Sequence, residues 1–399
     1  MSEIKKLIER LCPDGVEYKK LGEVCEIKTG KGITQKDCTE DGEYPVMSGG
    51  QTPMGMYSEY NREGNTVTIS RVGAYAGFVI YNTDRFYCND KCFSVIPKTN
   101  IQIKSKYLFY VLKHQEEYIK SLQSEGGVPT INTKKVGNVE IPVPPIEVQS
   151  KIVEILDNFT ELEAELEAEL EARRKQYEYY RNQLLAFDKV GGARFDVKWM
   201  KLGDVCEVTD YVANGSFASL RENVQYKNEP DFALLVRTVD LSQNFNGDKV
   251  YINEHAYNFL SKSSLHGGEI IINNIGAGVG QTFRCPYRNE PMSLGPNSII
   301  VKTPNNDFYY HWFNSFYGQK AMSEIITPGA LPKFNKTGFK SILIPIPPLE
   351  EQKRIVSILD RFEALTTDLQ SGLPAEIEAR RKQYEYYREK LLTFKRKTA

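Results

Sequence analysis

The chain has 399 residues, with 51 Lys+Arg against 52 Asp+Glu, a net charge of −1, 41% hydrophobic and 26% charged residues. That is the composition of a folded chain of two or three domains, and it excludes a disordered or fibrous protein. No stretch approaches the roughly 18 consecutive apolar residues of a membrane span, and residues 1–10 (MSEIKKLIER) are too charged for a signal peptide, so a cytoplasmic location and no membrane partner are expected.

Residues 1–145 carry short β-branched and aromatic runs broken by Gly, Pro, Asn and Asp, such as NTVTIS (65–70), GFVIY (77–81) and CFSVI (92–96), with one helix expected over 106–115. Pro144-Pro145 then precedes a run with apolar residues at three- and four-residue steps (Ile152, Ile155, Leu156, Phe159, Leu162, Leu166, Leu170), which is a helical period. Residues 191–347 return to the mixed, mainly β pattern, with EIIIN (269–273), SIIV (298–301) and a helix expected over 307–317. A second Pro-Pro (Pro347-Pro348) opens a second helical stretch, in which Gly372 and Pro374 of SGLP (371–374) should break the helix. The expected class is α+β. Two similar mixed, mainly β domains (1–145 and 191–347) are separated by long helical regions (146–190 and 348–399) that pack as an antiparallel coiled coil in a pseudo-two-fold repeat.

The two halves are copies of one another. IPVPPIEVQSKIVEILD (141–157) matches IPIPPLEEQKRIVSILD (344–360) at an offset of 203, and EARRKQYEYYRNQLLAF (171–187) matches EARRKQYEYYREKLLTF (378–394) at 207. Gly126, Pro129 and Asn132 of GGVPTIN fall on Gly329, Pro332 and Asn335 of GALPKFN, and Gly64, Gly73, Ala74 and Gly77 fall on Gly267, Gly276, Ala277 and Gly280. The first helix also holds a tetrapeptide repeat, LEAE (162–165) and LEAE (166–169), followed by Leu170-Glu171-Ala172. One such unit lengthens a helix by about 6 Å and turns it by about 40°. That is close to one or two base pairs of B-DNA, each rising about 3.4 Å, so Leu162, Leu166 and Leu170 mark a candidate spacer ruler.

On these residues the chain resembles the specificity subunit of a type I restriction–modification system, of the subfamily with a tetrapeptide repeat in its central conserved region. The resemblance covers essentially the whole chain and rests on the duplicated IP-x-PP-x-E-x-Q, RRKQYEYYR and G-x-x-P-x-[IF]-N segments. It implies two target-recognition domains, each reading one half of a split, asymmetric site in double-stranded DNA. It further implies helices that dock two methyltransferase subunits and, through them, restriction/translocase subunits. The chain itself would then be non-catalytic and without a cofactor; S-adenosylmethionine, ATP and Mg²⁺ belong to the partners.

Charge places the proposed reading in the domains. Residues 1–140 and 188–343 each carry net +1, whereas residues 141–187 carry net −5 and residues 344–399 net +2. Affinity for phosphate is therefore modest, and partners are expected to supply much of it. Base reading needs Arg, Lys, Asn, Gln or Ser on loops. In the first domain the candidates are Lys31, Gln35, Ser48, Gly49, Gly50, Gln51, Arg71, Tyr75 and Lys91. In the second, Arg237, Asn273, Asn274, Gln281 and Arg284 are assigned to bases, with Arg221 and Lys333 on phosphate. Partner docking is assigned to the duplicated Tyr177, Tyr180, Leu184 and Phe187 and to Tyr384, Tyr387, Leu391 and Phe394, beside the paired Arg-Arg-Lys runs. For the tyrosines, packing on the paired helix is the competing role.

Catalytic motifs are missing. Gly276–Gly280 fails G-x-G-x-x-G because residue 281 is Gln, there is no G-K-[ST] phosphate loop, and neither Pro-Pro follows the Asn or Asp of an amino-methyltransferase motif. The four histidines and seven cysteines have no metal-ligand spacing, and an odd, scattered cysteine count fits a reducing compartment. Two rivals remain open: a scaffold that does not read DNA, and a divergent stand-alone modification enzyme.

Overall fold

The computed structural model describes residues 2–124, 127–187, 197–367 and 372–397. The chain forms two compact units, Met1–Glu167 with Glu376–Ala399, and Ala168–Ala375. Neither unit ends where a globular domain ends, because each takes in pieces of both helical regions.

In the first unit the main sheet has four antiparallel strands in the order Cys25–Thr29, Cys92–Pro97, Thr66–Ser70, Val79–Asn82. Val67 and Ile69 point one way and Thr68 and Ser70 the other, yet all are buried, because Thr66–Ser70 is covered on both faces. Val67 and Ile69 meet Val95 and Phe93 across the ladder and pack, in one core, with the buried face of the helix Ser105–His114. A three-stranded sheet (Met56-Tyr57, Tyr44–Met47, Tyr87-Cys88) and the pair Tyr18–Lys20 with Glu140–Pro142 complete the domain. The second unit repeats this plan. Its main sheet runs Glu207–Asp210, Ser298–Lys302, Ile270–Asn273, Thr282–Arg284, beside a four-stranded sheet and the pair Lys198–Lys201 with Leu343–Ile346. The helix expected over 307–317 is two helices, Asn306–Asn314 and Phe316–Ser323. Ser315 ends the first and caps the second, its Oγ accepting from the Gly318 N–H at 3.3 Å.

The duplicated motifs turn out to be joints. Gly73 and Gly77 hold φ of +101° and +95°, and Gly276 and Gly280 +91° and +89°, conformations that suit glycine. The first of each pair donates its N–H to the carbonyl of the motif proline, Gly73 to Pro129 (2.9 Å) and Gly276 to Pro332 (2.8 Å). Two residues on, Ile131 and Phe334 are buried, and Asn132 and Asn335 cap short helices by accepting from the N–H of Lys135 and Gly338, both at 2.8 Å. Gly126 lies outside the described residues. The buried glutamines of IP-x-PP-x-E-x-Q shape the helix starts: Gln149 Nε2 donates to the Pro144 carbonyl (2.8 Å) and Gln352 Nε2 to that of Pro347 (2.9 Å).

Ile146–Leu184 is one helix of 39 residues, about 58 Å at 1.5 Å per residue. The second helical region is two helices, Leu349–Thr367 and Leu373–Leu392, with the break at SGLP; Ser371 lies outside the described residues. In the first unit, residues 146–167 run antiparallel to the C-terminal helix. Arg381 reaches Glu163 and Glu167, while Phe159 packs on Tyr384 and Tyr387 at ring separations of 6.3 and 5.4 Å. The chain end then returns to the N-terminal strand: Val16 bridges Arg396, and Tyr18 Oη donates to the Phe394 carbonyl at 3.1 Å. In the second unit, residues 168–184 lie on Leu349–Thr367, with Tyr177 and Tyr180 at 6.4 and 5.5 Å from Phe362. Each domain therefore rests on the start of one helical region and the end of the other.

One carboxylate on the helix ties each domain down. Asp157 accepts from Tyr110 Oη and sits 3.5 Å from Lys106 Nζ. Asp360 accepts from His311 Nε2 at 2.7 Å and from Arg284 Nη2 at 3.1 Å. With Nε2 donating, His311 Nδ1 is the acceptor for Tyr177 Oη at 3.2 Å. All seven cysteines are free, and no helix among the described residues is long and apolar enough to cross a membrane.

Candidate nucleic-acid interface

The register of each main sheet gathers its loops at one end. In the first unit, Thr29 pairs with Phe93 and Ser70 with Cys92, so the loops after Thr29, after Ser70 and before Cys92 leave together. Lys31 is anchored there by its N–H, which donates to the Cys88 carbonyl at 3.0 Å. Asn89 joins two more loops, its N–H donating to Met47 O (2.9 Å) and its Nδ2 to Ile33 O (2.8 Å). Ser70 Oγ donates to the carbonyls of Ser48 and Gly50 at 3.5 and 3.4 Å. A Cβ on Gly49 would stand 2.4 Å from the Val72 carbonyl, so only glycine lets this loop lie so close. The Arg71 N–H donates to Lys91 O at 2.8 Å, and its Nη1 donates to Asp90 O at 3.2 Å. Lys31, Ser48, Gly49, Gly50, Gln51, Arg71 and Lys91 thus share one rim, and Tyr75 is exposed on the loop between Gly73 and Gly77. Gln35 is apart from these ties, in the exposed turn Gln35–Asp37.

The second unit uses the same end of its sheet, where Asp210 pairs with Ile299 and Asn273 with Ser298. Here the rim is a cleft of about 460 Å³. Arg221, Asn274 and Lys333 line it, together with Val212, Phe217, Tyr226 and the buried Phe334. Asp210, the cleft's only lining carboxylate among the described residues, is spoken for by Lys336 Nζ (2.8 Å) and the Ala213 N–H (2.9 Å). Arg221 and Lys333 are exposed and have no carboxylate partner among the described residues, so the mouth carries net positive charge. Asn273 and Gln281 brace the loop behind Asn274 through the Asn273 N–H to Gln281 O contact of 2.9 Å.

Two of the arginines sit elsewhere. Arg237 grips its own neighbour, with Nη2 on Asp240 Oδ1 and on the Asp248 carbonyl, both at 2.6 Å. Arg284 lies on the helix-facing side, over the Tyr310 ring at 4.5 Å and within 3.4, 3.1 and 3.7 Å of Asp307, Asp360 and Glu363. His311, Asp360 and Glu363 have the make-up of a metal site, with ligand atoms within 4.8 Å, but the guanidinium already supplies the cation there. Burial pushes the Asp360 carboxyl up, and the hydrogen bonds from His311 and Arg284 outweigh it, holding it below its ordinary value. Sequence reasoning missed Val212, Phe217 and Tyr226; an aromatic in a polar stretch such as NGSFASLREN was the one signal available.

On the helices, Leu162, Leu166 and Leu170 are half-buried, and the exposed Arg381 bridges the equivalent glutamates of successive tetrapeptides, Glu163 (2.6 Å) and Glu167 (2.5 Å). Of the docking candidates, Tyr177 and Leu391 are buried in their own units. Leu184, Phe187, Tyr384, Tyr387 and Phe394 are half-buried, and Tyr180 is exposed. The most exposed tyrosines of the duplicated run are Tyr179 (60%) and Tyr386 (54%).

The comparisons with known proteins agree along the whole chain. A family model described as the type I restriction modification DNA specificity domain matches twice, over residues 13–172 and 196–379. A putative type I restriction enzyme specificity subunit of Haemophilus influenzae is 31% identical over 99% of this chain and 100% of its own length. The EcoR124I/EcoR124II specificity subunit of Escherichia coli is 28% identical over 99% of this chain and 98% of its own. The crystal structure of a type I restriction–modification S subunit from M. genitalium superposes with a TM-score of 0.59 at 17% identity, covering 95% of this chain and 96% of that one, which is a likeness of fold. The chain belongs to the type I restriction modification DNA specificity family.

Proposed function

We propose that this chain is the DNA specificity subunit of a type I restriction–modification complex, in which each domain reads one half of a bipartite site. The observation that carries the reading is the placement of groove-reading side chains. Two duplicated sheets, whose loops have diverged, present Arg, Lys, Asn, Gln and Ser from the same end. The phosphate contacts come from Arg221 and Lys333 and from partner subunits, since each domain carries little net charge.

The helices serve as spacer and dock. Two methyltransferase subunits bind the duplicated Tyr–Arg faces, one per copy, through Tyr179 and Tyr180 in one and Tyr386 in the other, flanked by the Arg-Arg-Lys runs. Restriction/translocase subunits join through them. S-adenosylmethionine, ATP and Mg²⁺ act in those partners, in the cytoplasm. A tetrapeptide added to the central helix changes its length by about 6 Å, and Arg381 still meets a pair of glutamates four residues apart.

The test is to express the chain with its methyltransferase partner in a methylation-free host and map N6-methyladenine across the genome. A single split motif, absent without this chain, is expected. An active methyltransferase in a stable complex with no such motif refutes DNA reading and favours the scaffold, while S-adenosylmethionine binding by the chain alone supports the modification enzyme.

A further inference from the structure

The cleft of the second unit differs in kind from the rim of the first. Where Arg71 and Lys91 crowd the first rim, the second has an opening of about 460 Å³ whose lip is apolar: Phe217 is 74% exposed, Tyr226 53% and Val212 42%. Exposed apolar side chains gathered around one opening, unlike single ones scattered on a surface, mark a site of contact. Asn274 is one of its lining residues; its Oδ1 is closed to solvent with no hydrogen-bond partner, and because the Asn274 main chain is fixed by the Asn297 carbonyl (3.2 Å) and the Phe334 N–H (3.1 Å), a turn of the side-chain amide presents it to the cleft without moving the backbone. A buried acceptor without a donor is uncommon and is relieved by a ligand that brings one. Arg221 and Lys333 stand at the mouth of the same cleft.

We propose that this cleft reads an A·T base pair of the second half-site, with Asn274 on the adenine edge, Phe217 on the thymine methyl, and Arg221 and Lys333 on the flanking phosphates. The inference rests on the DNA-specificity reading and adds the class of base. A primary amide offers an acceptor and a donor side by side, which match N6 and N7 of adenine in the major groove. Guanine presents two acceptors there, so it leaves Oδ1 unmet, and cytosine offers a donor alone. The bare ring of Phe217 suits the C5 methyl that thymine alone carries. The first rim, with an arginine at the position equivalent to Asn274, has a different preference.

The experiment uses the chain assembled with its methyltransferase partner and compares the methylated motif for the wild type, Phe217→Ala, Asn274→Leu and the control Tyr287→Ala, whose side chain is 81% exposed and outside the cleft. Phe217 is too exposed for its removal to unfold the domain. Asn274→Leu keeps both main-chain hydrogen bonds, and the unaltered half-site reports folding in each variant. In both cleft variants, discrimination at one A·T pair, other than the methylated adenine, should fall about ten- to a hundredfold. The other half-site and the gap should not change, and the control should keep the wild-type motif. The proposal is overturned if both variants keep the wild-type motif, if the affected half-site has only G·C pairs besides its methylated adenine, or if an assembled variant loses methylation everywhere instead of relaxing at one pair. A wild-type complex that methylates no split motif overturns the underlying reading and the cleft with it.

Discussion

Two glycines four residues apart provide a controlled test of how the reading loop of the first domain is held. Gly73 and Gly77 bound that loop with nearly the same φ, +101° and +95°. An alanine at either place must adopt a backbone conformation that costs about 1–2 kcal/mol for an L-residue. Their surroundings differ. A Cβ at Gly73 meets nothing within 4 Å, whereas at Gly77 it would stand 2.9 Å from Lys120 N and Cα. That contact is main chain, so the segment around Lys120 must shift, and overpacking of this kind adds about 1–3 kcal/mol. Gly73→Ala should therefore destabilise the first unit by about 1–2 kcal/mol and Gly77→Ala by about 2–5 kcal/mol. Urea unfolding of the two variants, followed by the transition of the first unit, measures the difference. Because Gly73 also holds the carbonyl of Pro129, its variant should blur the half-site read by the first domain while leaving the second intact. Equal losses for the two variants, or a greater one for Gly73→Ala, would refute the placement of this loop against Lys120.

Three further outcomes follow from individual contacts. The Asp360 carboxyl is held below its ordinary value in the folded chain. Its contribution is therefore complete above the unfolded value of about 4 and is lost as pH falls through the folded one; Asp360→Asn should flatten acid unfolding of the second unit in that window and leave the first unit's curve in place. Asn335→Ala removes the cap of the short helix Lys336–Lys340 and should cost about 0.5–2 kcal/mol by thermal unfolding. It should also loosen Lys336 from Asp210 at the cleft. Arg381→Ala breaks two exposed ion pairs and should cost under about 1 kcal/mol, with the loss disappearing at high salt; a larger, salt-independent loss would show that the arginine packs more than it pairs.

Much of the architecture was legible because it is local or duplicated. Short β-branched runs such as NTVTIS and SIIV gave strands, the three- and four-residue steps gave the helices, and Gly372 with Pro374 marked the break between Leu349–Thr367 and Leu373–Leu392. The repeated Gly, Pro and Asn positions are visible as letters, and their meaning as joints appears only when the 72–77 and 129–132 segments are seen hydrogen-bonded. What stayed hidden depends on partners distant in the chain. Nothing near Arg284 in sequence reveals that Asp360 and Glu363 will neutralise it, and Arg237 looks like a free loop arginine until the Asp248 carbonyl, eleven residues on, is seen to hold it beside Asp240. The separation of buried Tyr177 from exposed Tyr179 follows from the 100° step of a helix, but the face that is buried is set by Phe362 and His311. The cleft was invisible because its lining comes from separate segments, around 211, 217, 226, 274, 297 and 333.

The central claim is that the two half-sites and the gap are set by separate parts of one chain. The most direct measurement is the methylated motif, mapped genome-wide in the assembled complex, for three variants beside the wild type: Arg71→Ala with Lys91→Ala, Phe217→Ala, and deletion of residues 166–169. The account predicts that the first alters one half-site, the second alters the other, and the deletion shortens the gap by about one or two base pairs with both half-sites unchanged. A single variant that changes both half-sites, or a deletion complex that methylates the wild-type motif with the wild-type gap, would contradict it.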